Sequence, residues 1–490
     1  MSLRQRTVHG IAWTLVTRVA SQIASYAVSV TLARLLVPAD FGLVGMIAVF
    51  TGFASVFIDF GIGAAIVQRK EISTEQLSSA FWATLAMGAV LTAMFVVGAP
   101  LIAKFYGRIE LTRITQICAF TFLLSSIGIV PRSLFVRDMK IKQLMLFDLG
   151  VSLSGGLVSV ALAVSGAGVW TIVVASLWTA AGQSLLPFVA EKWRPSGGAS
   201  FGNLKPLLKI GLGLLGFSVI NYWARNFDNL IVGSLMGDTQ LGIYSRGYSL
   251  MLLPISQIGA TLGGSLLPAL SKMHEDKARS ARVFLRILRL MSFAAFPAMV
   301  GLCLVADPFV RALYGAKWLG LIPVLRILAL VGALQATTNP TGWLYIAQGR
   351  TDRLFRWGLA ANPLVILALY LGARAGSIFT VAVAYLIINM ILAIPCLWLA
   401  VSLVDLGIFQ VFRVVWSPLA HTVIMAAAVV LVGRMLPAHL AASGRLLIQV
   451  STGAASYAIS NVALRSAAFL DLKQQLAGRS LRADPTGVEA

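Results

Sequence analysis

Charge is what this chain has least of. Only 12% of its 490 residues are Asp, Glu, Lys or Arg, about half the share of an average soluble domain. Histidine is nearly absent: His9, His274, His421 and His439 are scattered, with no H-E-x-x-H pair. A nucleophile elbow and a P-loop are missing too, so neither hydrolytic chemistry nor direct use of ATP is expected. The three cysteines, Cys118, Cys303 and Cys396, stand at unrelated spacings within apolar runs, which excludes a disulfide framework and a zinc site. Long hydrophilic loops are lacking as well, and no outer loop is long enough to form a folded domain.

What the chain has in abundance is apolar length. It is 58% hydrophobic, with a mean hydropathy of +0.86. Apolar stretches of about 20 residues recur along nearly the whole chain, the length a helix needs to cross a bilayer. They are continuous and rich in Leu, Ala and Gly rather than alternating, which argues against barrel strands. The expected fold is an all-α polytopic membrane protein of fourteen spans, starting near 10, 41, 78, 114, 145, 168, 208, 240, 287, 321, 355, 377, 411 and 446.

A net charge of +21 invites nucleic acid as a partner, but the distribution decides otherwise. With the N-terminus inside, 26 of the 39 Lys and Arg fall in inner segments, 8 in outer loops and five within spans. That asymmetry is the positive-inside rule; it puts both termini in the cytoplasm and removes the need for nucleic acid. The N-terminal apolar region is too long for a cleaved signal and reads as an uncleaved first helix.

The longest hydrophilic piece, "EKWRPSGGASFGN" from Glu191, has linker composition. It divides the chain into an N-terminal lobe (1–190), a cytoplasmic linker (191–207), a second lobe (208–400), two extra spans (401–470) and a cytoplasmic tail (471–490). The lobes are related: "LLVPADFGLVG" from Leu35 aligns with "LMGDTQLGIYS" from Leu235, setting Gly42 against Gly242. Carried back at the same offset, Arg18, Ser21, Ser25 and Ser29 fall opposite Ser218, Asn221, Arg225 and Asn229. Steps of three and four make one polar stripe on each helix. Two copies of six spans share one orientation, implying a pseudo-twofold axis along the membrane normal and a wet cleft between lobes.

"RNFDNLIVGSLMGDTQLGIYSRGYSLMLLP" (from Arg225) closely resembles bacterial polysaccharide flippases, in which an Asn-x-Asp-Asn run leads to Leu-Gly-x-Tyr-Ser and ends at Pro. "ARLLVPADFGLVGM", "FIDFGIGAAIVQRK", "LLPALSKMHED" and "ADPFVRALYGAKWLGLIPVLRILAL" are similar to other span boundaries of that family. The resemblance covers about residues 5–400. It points to the multidrug/oligosaccharidyl-lipid/polysaccharide exporter superfamily, in its colanic-acid-exporter-like branch. It implies a cytoplasmic-membrane flippase, without cofactor, for polyprenyl-pyrophosphate-linked oligosaccharide, with membrane lipids and polysaccharide polymerase or assembly proteins as partners.

Candidate substrate contacts are Arg18, Arg225, Arg246 and Arg34, with Asn221, Asn229, Gln22 and Ser25. Arginine suits a pyrophosphate because its planar fork donates two parallel hydrogen bonds. Arg18 is about 12 Å deep, at 1.5 Å per residue. Arg225 is near mid-membrane and either meets substrate or pairs with Asp228, three residues on. Arg34 and Arg246 stand near outer helix ends and serve equally well as interfacial anchors. Asp228 and Asp59 are the candidates for ion coupling; Asp59 and Asp148 near inner ends also suit capping or a basic partner. "GLGLLG" from Gly211 opens a membrane helix and lacks the strand a dinucleotide site requires. "ARSARVFLRILRL" from Ala278 is a basic amphipathic stretch suited to the inner leaflet. The competing functions are a lipid II-type flippase, a cation-coupled multidrug antiporter, which would want carboxylates instead of arginines, and a polytopic glycosyltransferase or polymerase.

Overall fold

The computed structural model describes residues 22–469, apart from 23, 199, 272, 274, 275, 438, 465, 467 and 468. The described residues form helices and no strand, and each of the expected spans from the second to the fourteenth has a helix in its place, while the start of the first lies outside the described residues. Residues 24–35 form α1. Then follow α2 (Pro38–Asp59), α3 (Ile62–Gln68), α4 (Thr74–Tyr106), α5 (Leu111–Arg137), α6 (Ile141–Val164) and α7 (Trp170–Ala190). The helical stretch Phe201–Ser271 is broken at Gly237, giving α8 (201–236) and α9 (238–271). After it come α10 (Lys277–Leu304), α11 (Leu321–Thr338), α12 (Thr341–Ala347), α13 (Thr351–Arg374), α14 (Ile378–Val401), α15 (Ile408–Met435) and α16 (Ala442–Ala463). Ten helical stretches among the described residues are long and apolar enough to cross a membrane.

Local chemistry sets the breaks. Pro38 opens α2, forcing Val37 before it into extended backbone. Ser73 and Gln76 close a reciprocal capping box at the start of α4, with both bonds at 3.2 Å. Gly237 has φ 83° and ψ −177°, a conformation essentially restricted to glycine, and it lets α8 turn back as α9.

The chain divides into two compact units, Met1–Ser245 and Arg246–Ala490. In the first, small residues let helix backbones approach, as is usual in membranes. Thr92 Oγ1 on α4 donates to the Ala119 carbonyl of α5 at 3.0 Å, and Gly128 on α5 abuts Ser184 on α7. The linker is not a loose tether. The Ser196 and Ser200 N–H groups donate to Ser78 Oγ (3.0 Å) and Ser79 Oγ (3.1 Å) on α4, and Trp82 Nε1 donates to the Gly197 carbonyl (2.9 Å). In the second unit, Phe284, Ile287 and Met291 of α10 pack with Tyr345 of α12 and Leu397 and Val401 of α14. The two extra spans dock on α10 as well: Met425 and Val429 of α15 and Tyr457 of α16 pack around Val305 and Leu304, and the Tyr457 hydroxyl donates to the Phe293 carbonyl at 2.8 Å.

Within the first unit the sequence repeat appears as a reciprocal contact. Gly42 on α2 meets the Asp238 carbonyl on α9, and Gly242 on α9 meets the Pro38 carbonyl on α2. Pro38 and Asp238 differ by the same 200 as Gly42 and Gly242, so position i touches j′ while j touches i′, the signature of a twofold contact. A Cβ on either glycine would fall inside the partner's carbonyl oxygen. Gly42→Ala therefore lowers stability by about 1–3 kcal/mol, the range for overpacking, in thermal unfolding of the detergent-solubilised protein. Gly98→Ala on α4, with nothing within 4 Å of the added carbon, leaves the midpoint unchanged or slightly raised.

Candidate functional site: the polar face of α8

One side of α8 is fastened to α2. The Tyr222 hydroxyl reaches the carbonyls of Ala48 (3.0 Å) and Val49 (2.8 Å), next to Gly52, where a side chain would collide with it. Phe53 packs against Tyr222 and Trp223, with ring centroids 5.9 and 5.1 Å apart. Asn226 Nδ2 folds back on the Tyr222 carbonyl at 2.8 Å. This anchoring fixes the helix's rotation, and Asn221 and Arg225 come out exposed, one turn apart. Arg225 Nε donates to Asn221 Oδ1 at 3.4 Å, a long contact that leaves most of the guanidinium's five donors available.

Asp228 does not neutralise Arg225. No ion pair joins them among the described residues; Asp228 is 7% exposed, and its Oδ2 accepts from the Tyr244 hydroxyl on α9 at 3.1 Å. Its Oδ1 accepts the Asn229 N–H at 2.8 Å. The i,i+3 pairing expected as one option gives way because α9 puts a hydroxyl beside the buried carboxylate. Asn229 Oδ1 is buried and has no hydrogen-bond partner among the described residues.

The other candidates are spread more widely. Gln22, just ahead of α1, hydrogen-bonds Tyr26. Ser25 is exposed on α1, its Oγ 3.4 Å from Ser152 Oγ of α6, and Arg34 is exposed near the end of α1. Arg18 lies outside the described residues. Arg246 belongs to the second unit, partly buried on α9 within electrostatic reach of Tyr314. Asp59 is the last residue of α2, where it accepts the Gly63 N–H at 2.7 Å. Asp148 forms a bidentate pair with Arg132 at 2.9 and 3.0 Å. Among the described residues no group of His, Cys, Asp or Glu is arranged to hold a metal ion.

The structure therefore joins Arg225 to Asn221 and Asp228 to Tyr244, and within the same unit it places Asp59 at the end of α2 as a cap on Gly63. Sequence reasoning passed over Tyr222 and Tyr244. The signal for Tyr244 was its place in the Leu-Gly-x-Tyr-Ser element, 16 residues after Asp228. Chemically, this face presents an exposed cation and an amide, with the acid withdrawn into the protein. Tyr244→Phe removes a donor from a buried carboxylate and lowers thermal stability by about 1–3 kcal/mol, whereas Arg225→Ala, on the exposed side, shifts it by less than about 0.5 kcal/mol.

Comparison with known proteins sets these features in a family. The family described as "Polysaccharide biosynthesis protein" matches residues 31–323. The teichuronic acid biosynthesis protein TuaB of Bacillus subtilis (strain 168) is 28% identical over 462 residues, 93% of this chain and 95% of that protein. The lipopolysaccharide biosynthesis protein WzxC of Escherichia coli (strain K12) is 27% identical, over 80% of each chain. The succinoglycan biosynthesis transport protein ExoT of Rhizobium meliloti (strain 1021) is 23% identical over 97% of each. Among solved structures, the lipid II flippase MurJ in an inward closed conformation superposes with TM-score 0.71 at 18% identity, over 92% of this chain and 98% of that one. An inward-facing multidrug transporter of the MATE family follows at 0.64 and 16%, over 78% and 95%; these two likenesses speak for the fold. An all-helical fold among the described residues, a repeat read at 200 residues and a match over more than half the length converge: the chain belongs to the polysaccharide biosynthesis protein family of bacterial flippases, which are membrane transporters and not enzymes.

Proposed function

We propose that this protein moves polyprenyl-pyrophosphate-linked oligosaccharide from the inner to the outer leaflet of the bacterial cytoplasmic membrane, by alternating access, for exopolysaccharide or lipopolysaccharide synthesis. The observation that carries the reading is Arg225: an exposed guanidinium on a membrane helix, bonded among the described residues only at long range to Asn221 and not spent on Asp228. An intramembrane charge is costly and is kept where it faces a polar path or ligand. A pyrophosphate bearing several sugars cannot shed its water to cross bare hydrocarbon, and an arginine fork replaces that water with two charge-assisted hydrogen bonds. The names of the relatives, which refer to the biosynthesis of teichuronic acid and lipopolysaccharide and to succinoglycan biosynthesis transport, favour a saccharide cargo.

In this proposal Arg225, with Arg18 and Arg246 as further cations, takes the pyrophosphate. Asn221, Asn229, Gln22 and Ser25 offer hydrogen bonds to sugar hydroxyls, and Arg34 draws the headgroup outward. Asp228 and Asp59 are the residues to examine for ion coupling. The organisation proposed with it has lobes at 1–190 and 208–400, the linker at 191–207, the extra spans at 401–470 and a tail at 471–490. Both termini are cytoplasmic, and polysaccharide polymerase or assembly proteins act on the delivered cargo.

The test uses cells lacking the protein, complemented with wild type, Arg225→Lys or Arg225→Ala, with the leaflet of the accumulating lipid-linked oligosaccharide as readout. Wild type is expected to clear the inner-leaflet pool. Arg225→Ala, expressed at equal level, leaves it in place, and Arg225→Lys, which keeps the charge without the fork, clears it partly. Full clearance by Arg225→Ala would remove the arginine from the site. An inner-leaflet pool that never depends on the protein would hand the cargo to lipid II or to a drug.

A further inference from the structure

A second site lies in the first unit, at the break between α2 and α3. A cavity of about 690 Å³ opens there, walled by Asp59, Gly63 and Gln68 on one side and by Arg132 and Ser133 of α5 on the other. Its charges do not cancel. Arg132 is already neutralised, bidentate on Asp148 with a third hydrogen bond to the Gln183 carbonyl at 3.1 Å. Among the described residues Asp59 has no ion-pair partner; one oxygen caps the Gly63 N–H, and the other accepts no hydrogen bond from any of them. Counted over the described residues, the cavity thus carries a net negative charge, although the basic residues Arg69, Lys70, Arg137 and Lys140 follow closely in sequence.

Three acceptors converge on it. Ser133 Oγ donates to the Ile129 carbonyl at 2.7 Å, so its lone pairs are open. The missing side chain of Gly63 keeps this oxygen and the Asp59 carboxylate exposed to the cavity: a Cβ there would lie 3.0 Å from Ser133 Oγ and 3.2 and 3.4 Å from the two Asp59 oxygens. Gln68, on the cavity wall, carries the third in its side-chain amide. Above them the walls turn apolar, with Ala64, Val67 and Val136 exposed.

We propose that this cavity holds the primary ammonium headgroup of an ethanolamine phospholipid from the cytoplasmic leaflet. A primary ammonium brings one positive charge and three N–H donors, as a lysine does, matching one uncompensated carboxylate and three acceptors. A choline headgroup carries the same charge without a single N–H. A glycerol headgroup brings net negative charge to Asp59. The lipid phosphate, two carbons behind the nitrogen, comes within range of the donors Arg132 has not used, and the acyl chains leave along Val67 and Val136 into the bilayer.

The test measures lipid retention by native mass spectrometry, and thermal stabilisation, for the delipidated, detergent-solubilised protein. The probes are phosphatidylethanolamine, phosphatidylcholine and phosphatidylglycerol. Wild type is expected to prefer the ethanolamine lipid by about tenfold, the worth of one charged hydrogen bond. Asp59→Asn, which is isosteric and still accepts the Gly63 N–H, abolishes the preference. Ser133→Ala reduces it, and decides the matter alone should Asp59→Asn fail to fold. Equal retention of ethanolamine and choline lipids by wild type, or a preference surviving both substitutions, would overturn the site. No cargo is present in this measurement, so its failure is separate from any failure of the proposed transport.

Discussion

The crossing of α2 and α9 is the contact on which the first unit's polar architecture depends. Gly42 and Gly242 bring the two backbones so close that each helix's carbonyl occupies the place of the other's Cβ. Helices approach this way in membranes because lipid offers no hydrophobic drive between them, and close packing must supply the attraction. Once α9 is pressed onto α2, its next turns stand at a fixed height beside α8, and Tyr244 comes level with Asp228. Asp238, at the crossing itself, meets Arg108 after α4 at 2.9 Å. The Tyr106 hydroxyl reaches the Met46 carbonyl one turn along α2. A pair of missing side chains thus positions two acids and their partners.

Two neighbouring charged residues of α8 are handled in opposite ways. Asp228 is buried and satisfied by a hydroxyl and a backbone N–H, which lets a carboxylate persist in a low-dielectric setting. Arg225, three residues earlier, stays exposed. Had they paired, each would have quenched the other and the helix would be inert toward an anion. Separation costs the protein a tyrosine on the neighbouring helix, and it leaves a guanidinium with donors to spare.

The spans were legible because bilayer thickness imposes one length on every crossing, and hydropathy records it. The repeat was legible because Gly42 and Gly242 cannot be replaced at the crossing, so the offset of 200 stayed in register there. A second echo, Tyr106-Gly107 and Tyr314-Gly315, with φ of 66° and 87° at the glycines, is shifted by 208 and escaped that register. Asp148 and Asp59 near helix ends were read as capping or pairing, and one pairs with Arg132 while the other caps Gly63. The partner of Asp228 was not legible. Spacing on one helix lists the residues that share a face, but Tyr244 becomes a neighbour only through the turn at Gly237, whose geometry fixes the register of α9 against α8. The cavity beside Asp59 was equally hidden, since it is assembled from helices far apart in sequence.

The segment from Glu191 to Ser200 has the composition of a flexible leash and none of the freedom. Trp193 is packed among Phe81, Phe188 and Leu204, and three hydrogen bonds peg the backbone to Ser78, Ser79 and Trp82 of α4. Such a strap transmits displacement in place of absorbing it. A movement of α4 is carried directly to the first turn of α8, the helix that bears Arg225, and extra residues inserted here would not lengthen a tether but would uncouple a linkage.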